Sequence, residues 1–130
     1  MRVADVMQRP VYSATPTTTA REVAVNLLMS RISGFPIVDE SGALVGIVTE
    51  LDLIRAIRAG KDLEVTLAAE IMTPDVITVD ADEDVETVME TLDTEQIIRV
   101  PVTSDGRLVG VVARGDVIRA MLAPRFVLMG

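Results

Sequence analysis

The sequence contains neither cysteine nor histidine. Without cysteine it can form no disulfide, thiolate metal site or thiol nucleophile. Histidine is the commonest general base and metal ligand in proteins, so its absence removes most hydrolytic and zinc-dependent mechanisms. We therefore expect no catalytic residues and no metal site, and we expect a protein that is not an enzyme.

Aromatic residues are scarce, with one tyrosine, two phenylalanines and no tryptophan among 130 residues. Stacking platforms for nucleic acid bases are therefore few, and a net charge of -8 repels phosphate backbones. No apolar run approaches the ~20 residues that span a bilayer, and Asp5 follows the initiator methionine too closely for a signal peptide. We expect a soluble cytoplasmic protein with no nucleic acid partner and no membrane partner.

What the chain does contain is an internal repeat. Residues 4–56 align with residues 69–120 across one single-residue gap, and sixteen aligned pairs are identical. The clearest part of the first unit reads Gly-x-x-Thr-x-x-Asp from Gly46 to Asp52, and the second unit keeps this pattern except that Ala113 replaces Thr49. Two units are too few for a solenoid. The repeat therefore predicts a closed, pseudo-twofold pair that forms one compact module.

Each unit is predicted to fold in the order strand, helix, strand, strand, helix. Segments 11–14 and 76–79 mix apolar and hydroxyl residues, as brief strands do. The aliphatic runs at 44–48 and 108–112 each follow a proline-bearing strand and a turn sequence. We therefore expect one hairpin in each unit.

Capping signals mark the predicted helix starts. The segment Thr19–Glu22 has the pattern of a capping box, and the acidic run 82–84 crowds the start of the equivalent helix, where the helix dipole favours anions. Thr49 and Asp52 have the same capping-box pattern after the first hairpin. At the other end of the chain, Pro124 is expected to end the last helix.

The repeat also predicts how the chain is divided. A short helical lead-in is expected at the start of each repeat, at 2–7 and 67–72. The linker between the repeats is too poor in glycine, serine and proline for a flexible tether, and the apolar tail is expected to pack on the module, on a second copy or on another protein. The predicted segments are repeat 1 at 1–60, the linker at 61–66, repeat 2 at 67–122 and the tail at 123–130.

With these features in place, the chain resembles a pair of cystathionine-β-synthase (CBS) domains, which together are called a Bateman module. The resemblance covers about residues 3–120. It implies an α/β fold, of the α+β sandwich-like kind, in which two pseudo-symmetric β-α-β-β-α repeats pack through their sheets. It also implies a non-enzymatic regulatory homodimer that needs no cofactor and binds adenosine-containing ligands, foremost AMP, ADP or ATP, in clefts between the repeats.

The resemblance places the ribose-binding aspartate of the first cleft at Asp52, with the hydroxyl of Thr49 beside it. A carboxylate suits a ribose diol because its two oxygens accept two hydroxyl donors. In the same cleft we expect a second hydroxyl, from Thr78, and a guanidinium suited to phosphate, from Arg99. The residues that the resemblance sets opposite Asp52 are Ile77, Thr78, Ile98, Arg99, Val100 and Pro101.

In the second cleft Asp116 takes the position of the aspartate, and Arg114 is a candidate phosphate partner. Because Ala113 has no hydroxyl, this cleft is expected to be the weaker one, and the first cleft is expected to be occupied. The residues that the resemblance sets opposite Asp116 are Tyr12, Ser13, Ser33, Gly34, Phe35 and Pro36.

Other interpretations remain open. Both aspartates are also explained as helix caps, and Arg99 is also explained as a charge at a strand edge. If the clefts are degenerate and empty, the chain is a structural or dimerisation module, and a sensor of S-adenosylmethionine or a dinucleotide is a further alternative. Possible secondary phosphate partners are Arg9, Arg31, Arg55, Arg58 and Arg119.

Overall fold

The fold is taken from a computed structural model that describes residues 1–30 and 33–129, with side chains as far as Leu122. The second repeat has the predicted order of strand, helix, strand, strand, helix, whereas the first repeat has no named strand before its first long helix. The helices are α1 (Val3–Val6), α2 (Ala20–Ser30), α3 (Glu50–Arg58), α4 (Ala68–Ile71), α5 (Val85–Thr94) and α6 (Arg114–Met129), and the strands are β1 (Gly34–Val38), β2 (Leu44–Thr49), β3 (Val79–Asp80), β4 (Arg99–Ser104) and β5 (Arg107–Ala113).

The compact units of the fold differ from the repeats of the sequence. One unit contains residues 12–76, and the other combines residues 1–11 with the chain from residue 77 onwards. We call them the central unit and the split unit. The predicted boundaries of repeat 1 (1–60) and repeat 2 (67–122) therefore do not coincide with the compact units, because the lead-in of each repeat packs in the unit that holds the rest of the other repeat.

The central unit contains the hairpin of β1 and β2, which pair antiparallel with Gly34 opposite Thr49. Of the predicted early strand at 11–14, only Ala14 reaches this sheet, where it forms an isolated parallel bridge with Ile37. The Ala14 N–H donates to the carbonyl of Pro36 at 3.0 Å. The predicted strand was too long, because Val11, Tyr12 and Ser13 do not join the sheet and the last two of them are exposed.

The split unit contains a three-stranded sheet in the order β3-β4-β5. β3 lies parallel to β4, and β4 pairs antiparallel with β5, with Arg99 opposite Ala113. The predicted early strand at 76–79 is shorter and lies later in the chain, at Val79 and Asp80. Both hairpins are confirmed.

Turn chemistry closes the two hairpins. Gly42 and Gly106 both have a positive φ, 86° and 77°, which L side chains rarely adopt. In the first turn the carboxyl of Asp39 accepts hydrogen bonds from the Ser41 hydroxyl and the Ala43 N–H. These bonds lower the pKa of that carboxyl below its ordinary value.

Each unit has its own aliphatic core. The sequence predicts this composition, because strands and one face of each helix supply branched aliphatic side chains. The buried core of the central unit consists of Ala20, Val23, Leu27, Phe35, Ile37, Val48, Leu53 and Ala68. The buried core of the split unit consists of Val3, Val79, Ala81, Val85, Val88, Leu92, Val100, Val102, Val112 and Val117.

The structure shows the threonine half of the capping box predicted for α2 and an acidic cap at the start of α5, and the predicted end of the last helix was wrong. The Thr19 hydroxyl accepts from the N–H of Glu22 at 3.2 Å, and Asp84 caps α5 through the N–H of Glu86 at 2.9 Å. α6 continues past Pro124, because a proline removes one backbone donor and the other hydrogen bonds of the helix remain. The side chains of the predicted tail, 123–130, lie outside the described residues.

The predicted lead-in helices are present as α1 and α4, and each packs in the unit of the other repeat. Val3 of α1 is fully buried in the split unit and donates its N–H to the carbonyl of Glu83 at 2.8 Å. Ala68 of α4 is fully buried in the central unit and donates its N–H to the carbonyl of Thr18 at 2.8 Å. The two halves of the sequence therefore exchange their lead-ins.

Two glycines make room for the exchanged segments. A Cβ atom at Gly46 would lie 2.6 Å from Sδ of Met72, and a Cβ at Gly110 would lie 2.5 Å from Sδ of Met7. All four residues belong to the sixteen identical pairs of the repeat. The glycine of Gly-x-x-Thr-x-x-Asp is thus explained by close packing of a methionine against the strand.

We predict that Gly46→Ala lowers the free energy of unfolding by about 1–3 kcal/mol, because the added methyl overpacks the contact with Met72. Urea unfolding monitored by circular dichroism measures the loss. Combining Gly46→Ala with Met72→Ala tests the cause, since the smaller side chain makes room for the methyl and the double variant should lose less than the sum of the two single changes. Strict additivity would show that steric contact with Met72 is not the reason for the glycine.

Candidate functional site

Asp52 is a buried carboxylate at the start of α3, with 8% of its surface exposed. Its Oδ2 accepts from the N–H of Thr49 at 2.9 Å and from the Thr49 hydroxyl at 3.0 Å. In return, the N–H of Asp52 donates to Oγ1 of Thr49 at 3.2 Å. The predicted capping box is confirmed, so Asp52 has a structural role whether or not it binds a ligand.

A third residue, Thr73, reaches the same carboxylate and was not among the predicted site residues. Its hydroxyl lies 3.0 Å from Oδ1 of Asp52 and 3.3 Å from Oδ2. Thr73 follows α4, and its backbone forms a bridge with Ile47 of β2. The exchanged lead-in of the second repeat therefore supplies a donor to the carboxylate of the first.

Asp116, at the start of α6, is the equivalent carboxylate and is 7% exposed. Its Oδ2 accepts from the N–H of Ala113 at 2.8 Å, which preserves the acidic half of a capping box. Its Oδ1 accepts from Nε2 of Gln8 at 2.6 Å and from Nη2 of Arg119 at 2.7 Å. Gln8 aligns with Thr73 in the repeat, so the exchanged segment reaches the carboxylate in both units.

The two carboxylates differ in the charge of their partners. All donors to Asp52 are neutral, and no salt bridge joins it to a cation within the described part of the chain. Asp116 forms an ion pair with Arg119. Asp52 is therefore not paired with a cation among the described residues, and hydrogen bonds to a carboxylate are stronger than those to a neutral acceptor.

The predicted residues of the first cleft are divided between the two units. Thr49 and Asp52 belong to the central unit, and the other six belong to the split unit. Of those six, Ile77, Thr78 and Ile98 are exposed, and Arg99 is half-buried. Val100 and Pro101 are buried, and the side chain of Val100 lies in the core of the split unit.

The predicted residues of the second cleft are divided in the same way, with Arg114 and Asp116 in the split unit and the others in the central unit. Of the predicted residues in the central unit, Tyr12, Ser13 and Ser33 are exposed, and the exposed fraction of Tyr12 is 73%. Gly34 is half-buried, Pro36 is buried, and Phe35 lies in the core of the central unit.

Within each unit the structure brings together residues that the resemblance assigns to different clefts. In the central unit Gly34 lies directly opposite Thr49 on the paired strands. In the split unit the N–H of Arg114 donates to the carbonyl of Ile98 at 3.0 Å, and its Nε donates to the carbonyl of Ile97 at 2.9 Å. Arg114 therefore begins α6 with part of its guanidinium already bonded.

The candidate secondary arginines are in several environments. Arg119 is bonded to Asp116, and Arg31 lies outside the described residues. Arg9 and Arg58 are exposed. Arg55 lines a cavity of about 210 Å³ in the central unit, together with Asp52, Ala56, Lys61, Glu70 and Ile71.

A larger cavity of about 630 Å³ lies in the split unit, between α5 and α6. Apolar side chains make up four of its seven lining residues, and Asp93 and Arg114 contribute charges of opposite sign. Over residues 1–30 and 33–122, no three or more acidic side chains are grouped closely enough to hold a metal ion. In the same part of the chain, no helix is both long and apolar enough to cross a membrane. The residues that line the cavity are Met89, Leu92, Asp93, Gln96, Arg114, Val117 and Ile118.

The family model of the CBS domain matches this chain twice, at residues 3–59 and 68–123. The chain is a tandem pair of CBS domains. The two matched segments are the repeats of the sequence, and the resemblance inferred from the motifs is confirmed.

The CBS pair is similar to proteins of different size and name. It is 34% identical over 119 residues to an uncharacterized protein of Methanopyrus kandleri and spans 61% of that protein's length. It is 37% identical over 118 residues to the L-aspartate semialdehyde sulfurtransferase of Methanocaldococcus jannaschii but spans only 22% of it. The match to the CBS domain-containing protein YhcV of Bacillus subtilis, at 30% identity, covers 88% of this chain and 81% of that protein.

Solved structures of CBS pairs confirm the mixed helix and strand fold. CBSX2 in complex with AMP superposes with a TM-score of 0.81 at 27% identity, over 95% of this chain and 98% of that one. The CBS domain pair of protein MJ0100, in complex with 5'-methylthioadenosine and S-adenosyl-L-methionine, gives a TM-score of 0.76 at 35% identity, with the same shares covered. Hypoxic Response Protein I with two coordinated zinc ions gives 0.80 at 28% identity, over 92% and 98%.

We predict that Thr73→Val lowers the free energy of unfolding by about 1–2 kcal/mol, because a buried charged acceptor loses a hydroxyl donor while the side chain keeps its shape. Thr73→Ser retains the hydroxyl and should lose less. The matched control is Thr91→Val, whose hydroxyl donates only to the carbonyl of Thr87 within α5. Urea midpoints of the three variants decide the matter, and equal midpoints for Thr73→Val and wild type would show that the contact with Asp52 contributes nothing.

Proposed function

We propose that this CBS pair is a regulatory module that binds an adenosine-containing ligand through the carboxylate of Asp52. The observation that carries the proposal is the set of partners around Asp52. The carboxylate is nearly buried, no salt bridge among the described residues involves it, and two of its donors are threonine hydroxyls. A hydroxyl rotates easily and either donates or accepts. Thr49 and Thr73 are thus able to turn and free acceptor sites for a ribose diol.

Similar proteins support this ligand class. AMP, 5'-methylthioadenosine and S-adenosyl-L-methionine, which are bound by CBSX2 and by the CBS pair of MJ0100, share the adenosine group. Their common part offers a vicinal diol, which a carboxylate binds through two charge-assisted hydrogen bonds. The proposal for this chain therefore rests on the shared nucleoside.

The identity of the 5' substituent is a finer proposal. Arg99 is half-buried and its side chain forms no hydrogen bond or salt bridge within the described residues, so its guanidinium is available for a phosphate. We favour AMP, ADP or ATP on this ground, with S-adenosylmethionine and dinucleotides as alternatives. The residues proposed to complete the site with Asp52 and Thr49 are Ile77, Thr78, Ile98, Arg99, Val100 and Pro101, and the weaker second set is Tyr12, Ser13, Ser33, Gly34, Phe35, Pro36, Arg114 and Asp116.

A regulatory role is also proposed over an enzymatic one. The sulfurtransferase similarity covers only 22% of that enzyme, and CBS pairs occur within larger proteins and as short proteins of their own. This chain contains no histidine or cysteine for general base or nucleophilic chemistry. We therefore propose binding without turnover, by a protein of the cytoplasm.

Thermal unfolding with and without ligand tests the binding proposal. At a concentration 100 times its dissociation constant, a ligand stabilises the native state by about 2.7 kcal/mol, which raises the melting temperature by several degrees for a domain of this size. We expect adenosine, AMP, ATP or S-adenosylmethionine to produce such a shift in wild type. Asp52→Asn should reduce the shift by at least half, because the diol loses its charged acceptor.

Asp39→Asn is the matched control, since Asp39 is also a carboxylate that accepts backbone hydrogen bonds but lies in the turn between β1 and β2. Its ligand-induced shift should equal that of wild type even if its own melting temperature falls. Equal shifts in Asp52→Asn and Asp39→Asn would place the ligand away from Asp52. No shift with any of the four compounds would contradict the proposed function.

A second candidate function, assembly with another copy, is favoured by an exposed aliphatic surface on the central unit. α2 and α3 contact each other, and both present large apolar side chains to solvent. On α3 these side chains recur every third residue, which places them on one side of the helix. We name this surface the α2–α3 face, and it consists of Leu28, Met29, Leu51, Ile54 and Ile57, which are 51–80% exposed.

We propose that the α2–α3 face forms a homodimer, because burying each large aliphatic side chain contributes about 1.5–3 kcal/mol. Ile54→Glu should raise the dimer dissociation constant at least about tenfold, since the charge would be buried without a partner. Val65→Glu is the control, because Val65 is an exposed valine of the linker outside that face. Sedimentation velocity provides the readout, and a monomeric wild type at tens of micromolar would contradict the proposal.

A further inference from the structure

One arginine of the repeat behaves differently in the two units. Arg55 and Arg119 occupy identical positions, each three residues after the conserved aspartate. Nη2 of Arg119 lies 2.7 Å from Oδ1 of Asp116, although most of its side chain is exposed. Arg55 forms no salt bridge with Asp52, and the one salt bridge among the central unit's described residues joins Arg21 to Glu64. The arginines at equivalent positions of the two repeats therefore differ, because Arg119 is paired with its aspartate and Arg55 is not.

The residue before each aspartate accounts for the difference. Gly115 precedes Asp116, and a Cβ atom at this position would lie 3.3 Å from Nη1 of Arg119. The guanidinium thus folds back over a position without a side chain. In the first repeat the corresponding residue is Leu51, so a side chain is present at the position that is bare in the second repeat.

The donors to the two carboxylates also differ in whether they are able to accept a hydrogen bond as well as donate one. A carboxylate has about four acceptor sites. Gln8 and Arg119 together fill Oδ1 of Asp116, and the N–H of Ala113 takes one site on Oδ2. One site remains, whereas a diol needs two. An amide N–H group and a guanidinium cannot reverse direction to accept a hydrogen bond, as the threonine hydroxyls beside Asp52 are able to do.

We propose that Arg119 determines the unequal ligand affinity of the two aspartates by occupying Asp116. A vicinal diol binds at Asp116 only after the contact between Arg119 and Asp116 opens. Asp52 needs no such step, because its partners are hydroxyls that rotate. This inference rests on the proposed function, since it explains which of two adenosine sites fills first.

The experiment measures adenosine binding by calorimetry in backgrounds that leave one aspartate intact. Adenosine is the probe because it has the diol and no phosphate. In the Asp52→Asn protein only Asp116 remains, and adding Arg119→Met should raise the association constant about three- to fivefold. The gain is modest because an ion pair with one exposed partner is weak.

The matched control is Arg55→Met in the Asp116→Asn protein, where only Asp52 remains. Its association constant should change less than twofold, because Arg55 does not bond to Asp52. A second variant, Gly115→Leu in the Asp52→Asn protein, keeps the arginine but introduces the side chain of the first repeat. It should reproduce the gain by displacing the guanidinium from Asp116.

The possible results distinguish a failure of the inference about Arg119 from a failure of the proposed adenosine binding. If wild type binds adenosine and neither Arg119→Met nor Gly115→Leu increases binding at Asp116, the inference is wrong and the proposed function stands. If Arg119→Met weakens AMP and leaves adenosine unchanged, Arg119 is a phosphate ligand and the inference is also wrong. If wild type binds neither adenosine nor AMP, both proposals fail together.

Discussion

The packing of two methionines on two glycines organises this molecule. Met7 and Met72 lie against Gly110 and Gly46 so closely that no side chain fits between them. This contact holds each lead-in segment against a strand in the other half of the sequence. The residue after each methionine then lies beside a carboxylate, as Thr73 does beside Asp52. The hydrogen bonds around both carboxylates therefore depend on a steric contact several residues away.

Helix capping and ligand binding make compatible demands on the same carboxylate. A buried carboxylate needs hydrogen-bond donors in the absence of ligand, or its burial would be costly. At Asp52 the cap and the Thr73 hydroxyl meet that need, while the hydroxyls remain exchangeable for those of a ligand. At Asp116 the N–H of Ala113, the amide of Gln8 and the guanidinium of Arg119 meet it. The interpretation of the aspartates as caps and their interpretation as ribose acceptors are therefore not exclusive.

The sequence predicted the elements of the fold well because their signals are local. The hairpins follow from aliphatic runs around glycine turns, and the Thr49 cap follows from a four-residue pattern. The exchange of lead-ins could not be predicted, because an alignment shows which residues correspond and not which half each segment packs against. Thr73 and Gln8 were missed for that reason, since each reaches a carboxylate in the other repeat. Their one signal was their shared position after the conserved methionines, and different side chains at that position concealed it.

The division into a central and a split unit also has a consequence for biosynthesis. The central unit is one continuous segment, 12–76, so all of its residues are synthesised before most of the second repeat is made. The first eleven residues cannot find their partners at that stage, because Val3 packs among residues such as Val85 and Val112. Folding during translation would therefore proceed outward from the middle of the chain, and the amino terminus would be among the last parts to reach its native contacts.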